Sequence, residues 1–112
     1  MGSRSGLGEL EQLVLLAIVR LKDRAFGPDI ADELDSSVGR RVSRGALYST
    51  LNRLEDKGLL RWTPEEPVEG RRGHVRRRFE LTDDGLTALR AQRETLLTLW
   101  DGITGLLEEG AP

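Results

Sequence analysis

The sequence predicts one mainly α domain, with three short helices, a two-stranded β-hairpin and a long C-terminal helix in that order. Three observations predict it. Apolar residues recur at spacings of three and four in four separate segments. Two runs suited to strands flank a loop containing Pro64, Pro67, Gly70 and Gly73. From Leu86 to Leu107 the apolar spacing settles into alternating threes and fours, a heptad seam. At 112 residues with 38% apolar side chains, the chain supports one hydrophobic core and an appendage rather than two cores. The expected organisation is a disordered tail over 1–6, a domain over 7–81 and a C-terminal helix over 82–109.

The first helix begins after Gly8 and carries Leu10, Leu13, Val14, Ala17, Ile18 and Leu21 on one face. Leu15, Leu16 and Val19 lie off that stripe, so this helix is expected to pack on its own domain and against something else. Gly27-Pro28-Asp29 opens the second helix: Pro28 suits the first turn, where no backbone donor is needed, and Asp29 suits its positive end. Its expected core face is Ile30, Ala31, Leu34 and Val38, with Gly39 as terminator. Ser43 is a suitable N-cap for the third helix, which runs to Gly58 with Ala46, Leu47, Leu51 and Leu54 as its buried stripe.

The strands are expected over Leu59–Thr63 and His74–Leu81. In the second, Val75, Phe79 and Leu81 share a face by the two-residue period, with Arg77 among them. Thr82 then caps the last helix, with Asp83 and Asp84 in its first turn. Its seam is Leu86, Leu89, Arg93, Leu96, Trp100, Ile103 and Leu107. Gly102 and Gly105 weaken the helix by about 1 kcal/mol each relative to alanine.

Composition excludes several classes. Without cysteine there are no disulfides and no thiolate chemistry, and the single His74 makes a histidine metal site implausible. No metal-binding or catalytic constellation is present, so neither an enzyme nor a cofactor is expected. The longest apolar run, Leu13 to Val19, falls far short of the roughly 20 residues of a membrane span, so no membrane contact and a cytoplasmic location are expected.

The net charge of −2 hides a strong asymmetry. From Arg40 to Arg78 eleven basic residues face five acidic ones, which leaves this middle at +6 and the remainder at −8. Such a split suits a chain that turns one surface to a polyanion. The third helix carries Gly45, Tyr48, Ser49, Asn52 and Arg53 opposite its leucine stripe, with Ser43 and Arg44 at its start. Arginine can pair with guanine, asparagine with adenine, and serine or tyrosine can hold phosphate. Taken alone, the same residues suit an ordinary solvated face, and Asp56 there repels phosphate.

The hairpin segment Arg71-Arg72-Gly73-His74-Val75-Arg76-Arg77-Arg78 shifts the balance towards nucleic acid, because five arginines in eight residues repel one another until phosphates neutralise them. Salt bridges to Glu65, Glu66, Glu69 and Glu80 are the alternative for some of them. Alternation favours Arg76 and Arg78 as contacts over Arg77, whose stem lies along the apolar side. Arg71, Arg72 and His74 complete the expected phosphate-contacting set. Together the elements amount to a winged helix-turn-helix with a two-stranded β wing and a long C-terminal dimerisation helix, whose expected partner is duplex DNA. The alternative is a winged-helix module that turns the same face to an acidic protein.

The chain resembles the PadR-like family of bacterial winged-helix regulators from Leu7 to about Glu109. The likeness is carried by Leu10-Glu11-Gln12-Leu13-Val14-Leu15-Leu16-Ala17-Ile18, by Gly27-Pro28-Asp29-Ile30-Ala31, and most specifically by the run Gly45-Ala46-Leu47-Tyr48-Ser49-Thr50-Leu51-Asn52-Arg53-Leu54-Glu55-Asp56-Lys57-Gly58-Leu59. The arginine-rich wing leading into Phe79-Glu80-Leu81-Thr82 completes the order, although Arg78 stands where the family's wing usually has an aromatic pair. The resemblance implies a repressor with a palindromic operator, a homodimer built from the first and last helices, and a small aromatic or multidrug-like inducer near that interface. Leu13, Leu16, Leu89, Arg93, Leu96, Trp100, Ile103 and Leu107 are then the dimer or ligand candidates. For Trp100 simple packing is the favoured reading over ligand stacking, and for Arg93 pairing with Glu94 or a partner-chain acid is favoured over an inducer carboxylate.

Overall fold

The computed structural model describes residues 6–65 and 75–109. Arg71, Arg72 and His74, and all but Gly6 of the expected tail, lie outside the described residues. Helix α1 (Glu9–Leu21) leads through a short 3-10 turn into α2 (Gly27–Val38) and α3 (Arg44–Asp56). Strands β1 (Leu60–Glu65) and β2 (Arg76–Leu81) form an antiparallel pair, followed by α4 (Asp83–Trp100) and α5 (Thr104–Glu109). This is the expected winged helix-turn-helix.

Local chemistry sets most boundaries. Glu11 accepts the N–H of Gly8 at 2.9 Å and closes the start of α1. Ser43 caps α3 by accepting the N–H of Ala46, and Thr82 caps α4 by accepting that of Gly85, both at 3.0 Å. Gly39 ends α2 in the left-handed region at φ 67°.

The core gathers Val14, Leu15 and Ile18 from α1, Ile30 and Leu34 from α2, Leu47, Leu51 and Leu54 from α3, and Leu60 and Phe79 from the hairpin. Leu15, off the first helical stripe, is fully buried because α1 packs against α2, α3 and α4 at once, in keeping with a helix buried on more than one side. Two expectations are corrected. Val38, in the final turn of α2 beyond the Leu34 layer, is 60% exposed. Ala46 faces solvent and Thr50 takes its place inside, its hydroxyl donating back to the Ala46 carbonyl at 2.8 Å.

The hairpin register pairs Leu60 with Leu81, Trp62 with Phe79 and Pro64 with Arg77. Those residues share the face turned to the core; Arg61, Thr63, Glu65, Arg76, Arg78 and Glu80 share the other. Val75 precedes β2 and is exposed rather than packed beside Phe79. An isolated bridge between Phe26 and Arg78, with Phe79 donating to the Ala25 carbonyl at 2.9 Å, fastens the hairpin to the turn before α2.

The expected continuous C-terminal helix is two helices. Asp101 donates back to Leu97 and Thr98, and Gly102 follows at φ 85°, a conformation that ends α4 before the heptad seam is complete. Ile103 and Leu107 therefore lie beyond the helix that carries Leu86 to Trp100. No helix among the described residues is long and apolar enough to cross a membrane.

Candidate nucleic-acid interface

Helix α3 presents Arg44, Gly45, Ser49 and Asn52 to solvent, and Tyr48 half-buried between them. Their spacing puts them on one face because the opposite face is held in the core by Leu47, Leu51 and Leu54. Tyr48 lies directly over Gly27, so closely that a Cβ there would overlap its hydroxyl. The absent side chain of Gly27 thus lets the first turn of α2 approach α3.

This meeting of α2, α3 and β2 leaves an open groove of about 780 Å³. Phe26, Gly27 and Pro28 line one wall, Arg44, Gly45 and Tyr48 a second, and Val75, Arg76 and Arg77 a third. The Arg76 guanidinium stands 4.0 Å from the centre of the Phe26 ring and that of Arg77 stands 4.6 Å from Trp62. Arg44 is 5.6 Å from the Tyr48 ring.

Two other expected contacts are engaged elsewhere. Arg53 donates to Glu11 at 3.2 Å and to Thr50 at 3.3 Å, with its side chain still half exposed. Arg78 stands 3.5 Å from Glu65 across the hairpin, on the face away from the core. On that same face Arg61 donates to Glu80 at 2.7 Å. The alternative pairing foreseen for Glu65 and Glu80 thus holds for these two.

Glu11 organises the far end of α3. Lys57 donates to both of its oxygens at 2.9 Å, beside the bonds from Arg53 and Gly8. Burial alone raises its pKa, but the hydrogen bonds from Lys57, Gly8 and Arg53 outweigh that and hold the carboxyl below its ordinary value.

A second hollow, about 490 Å³, lies between α1 and α4. It brings together Leu16, Leu89, Arg93, Leu96 and Trp100 from the expected set, and adds Gln12, Leu86, Arg90 and Leu97. Leu13 packs on the core instead, and Ile103 and Leu107 are exposed beyond the break. Arg93 stands 3.9 Å from Glu94, both well exposed. Sequence reasoning missed Arg77, Phe26 and Gly27 at the groove; the arginine-aromatic combination was a usable signal, but which arginine meets which ring depends on the hairpin register.

A protein-family model described as the transcriptional regulator PadR-like family matches residues 15–91. Among solved structures, a PadR-like transcription factor from Bacteroides fragilis is 26% identical with a TM-score of 0.72, covering 87% of this chain and 88% of that one. A PadR family regulator from Eggerthella lenta is 30% identical with a TM-score of 0.66, covering 89% and 87%. A PadR-like regulator from Bacillus cereus shares the fold at a TM-score of 0.70 and 23% identity, covering 88% and 90%. No curated protein sequence matches.

Proposed function

Because the chain belongs to the PadR-like family of transcriptional regulators, which are not enzymes, we propose that it represses transcription as a homodimer on a palindromic operator. The observation that carries this reading is the common groove into which the exposed face of α3 and Arg76 of the wing both open. In the proposed complex Tyr48, Ser49 and Asn52 enter the major groove, and Arg44 and Arg76 hold the adjoining backbone, with Arg71, Arg72 and His74 extending that contact. Ser43 and Gly45 allow close approach at the start of α3. Arg53 flanks the same face while tied to Glu11.

The dimer forms through α1 and α4. Leu16, Val19, Leu86, Leu96, Leu97 and Leu99 are all at least 40% exposed in the single chain, a larger apolar surface than an isolated domain of this size ordinarily leaves in water. A second copy covers it, and the hollow beside Trp100 then admits a planar aromatic inducer. Location in the cytoplasm accords with such a role.

Selection of bound duplexes from a random pool tests the reading: a recovered palindrome supports it, and recovery of no duplex at moderate salt refutes it. For the inducer, planar aromatic compounds are expected to quench Trp100 fluorescence in a Trp62→Phe background. An unchanged signal across a chemically broad panel leaves Trp100 as packing.

A further inference from the structure

We propose that Arg44, Arg76 and Arg77 form the principal seat for the DNA sugar–phosphate backbone, and that Arg61 and Arg78, each beside a glutamate on the same hairpin, take no part in it. The proposal rests on the reading of the chain as a DNA binder and sorts its arginines within that reading.

The sorting follows from how each guanidinium is held. A guanidinium is a plane whose N–H donors point outward from its edge. Stacked on an aromatic ring, it is satisfied through its face, keeps its full charge, and leaves the edge open to phosphate oxygens. Paired with a carboxylate, it has donors occupied and its charge cancelled. Both arrangements occur on this one hairpin. Arg76 lies on Phe26 at 4.0 Å and Arg77 on Trp62 at 4.6 Å, whereas Arg78 faces Glu65 at 3.5 Å and Arg61 faces Glu80 at 2.7 Å.

Arg44, nearest the Tyr48 ring, joins the first kind. Among the described residues, none of Arg44, Arg76 and Arg77 has a carboxylate oxygen within 4.0 Å, and all three line the one groove of about 780 Å³. The rings come from three different places, the turn before α2, α3 and β1, so they fix the three charges relative to the helix that enters the major groove. Side chains already held in place lose less rotamer freedom on binding. Arg77 is the new member: its register opposite Pro64 puts it on the Trp62 face, and it lines the groove together with Arg76 although the two lie on opposite faces of β2.

The test is the affinity of the full chain for a fluorescein-labelled, mixed-sequence duplex, followed by anisotropy over a salt series. Arg76→Gln and Arg77→Gln are each expected to weaken binding several-fold and to lower the slope of log affinity on log salt by about 0.9 per protomer. Arg77→Lys keeps the charge but not the planar stack, so the slope is expected to stay while the affinity falls. Arg61→Gln and Arg78→Gln are expected to leave the slope unchanged. Circular dichroism and melting temperature check that each variant is folded. The proposal is overturned if Arg78→Gln lowers the slope as much as Arg77→Gln does, or if Arg77→Gln leaves it at the wild-type value. Should the wild-type chain bind no duplex at any salt, the functional reading itself falls, an outcome distinct from either of those.

Discussion

Glu11 shows how one buried charge serves stability. It is 5% exposed and takes hydrogen bonds from Lys57, Arg53 and Gly8, which together keep it ionised despite burial. A carboxyl held below its ordinary pKa stabilises the fold fully above its unfolded value, about 4.3, and that contribution is lost as pH falls through the lower folded value. Glu11→Gln is therefore expected to be about 1–2 kcal/mol less stable at neutral pH and less sensitive to acid below about pH 4. Urea denaturation at a series of pH values measures both, and an acid response identical to wild type would assign it to other carboxylates. Gly27 supplies the opposite case, a residue important for what it lacks. In Gly27→Ala the new methyl displaces the Tyr48 hydroxyl, the free end of a side chain, so the ring swings rather than the backbone. The melting temperature is expected to change little while affinity for duplex DNA drops; unchanged affinity in an anisotropy titration would detach Tyr48 from the interface.

At the level of elements, the sequence carried what is decided locally. Ser43, Thr82 and Gly39 stand at helix ends because one side-chain oxygen or one permissive glycine is enough, and neighbouring residues reveal both. Val38 and Ala46 face solvent instead of the core because burial depends on which neighbours surround each helix, information that periodicity alone does not hold. The same limit applies to the site. The face of α3 was legible from its spacing, but the division of arginines between rings and glutamates is tertiary: Arg76 stands opposite Glu65 in the ladder yet lies on Phe26 from outside the hairpin, while Glu65 meets Arg78 on the diagonal. The leucine pattern continued through Gly102 while the backbone did not, so the proposed dimer surface is confined to α1 with α4. Leu96→Glu is accordingly expected to leave a folded monomer in sedimentation equilibrium and to abolish tight operator binding. A dimer of wild-type affinity would move the interface elsewhere.

Across the whole molecule, charge is segregated: the +6 middle carries α3 and most of the hairpin, and the −8 remainder includes both helices of the proposed dimer interface. In the proposed homodimer a two-fold pair of α3 helices would read two half-sites, expected about 34–36 Å or a multiple of that apart along the duplex. Systematic variation of half-site spacing checks it, and indifference to spacing would count against a rigid dimer. The paired face of the hairpin has a bearing on how binding strength can change. Arg78 and Arg61 stand beside Glu65 and Glu80, so in the proposed complex a stronger grip on DNA would require no new basic residue, only the loss of an acidic one. If pairing with Glu65 is all that keeps Arg78 from the duplex, Glu65→Gln is expected to steepen the salt dependence on any duplex, specific or not. On that reading the two glutamates would act as a governor on indiscriminate binding, one substitution away from trading selectivity for strength.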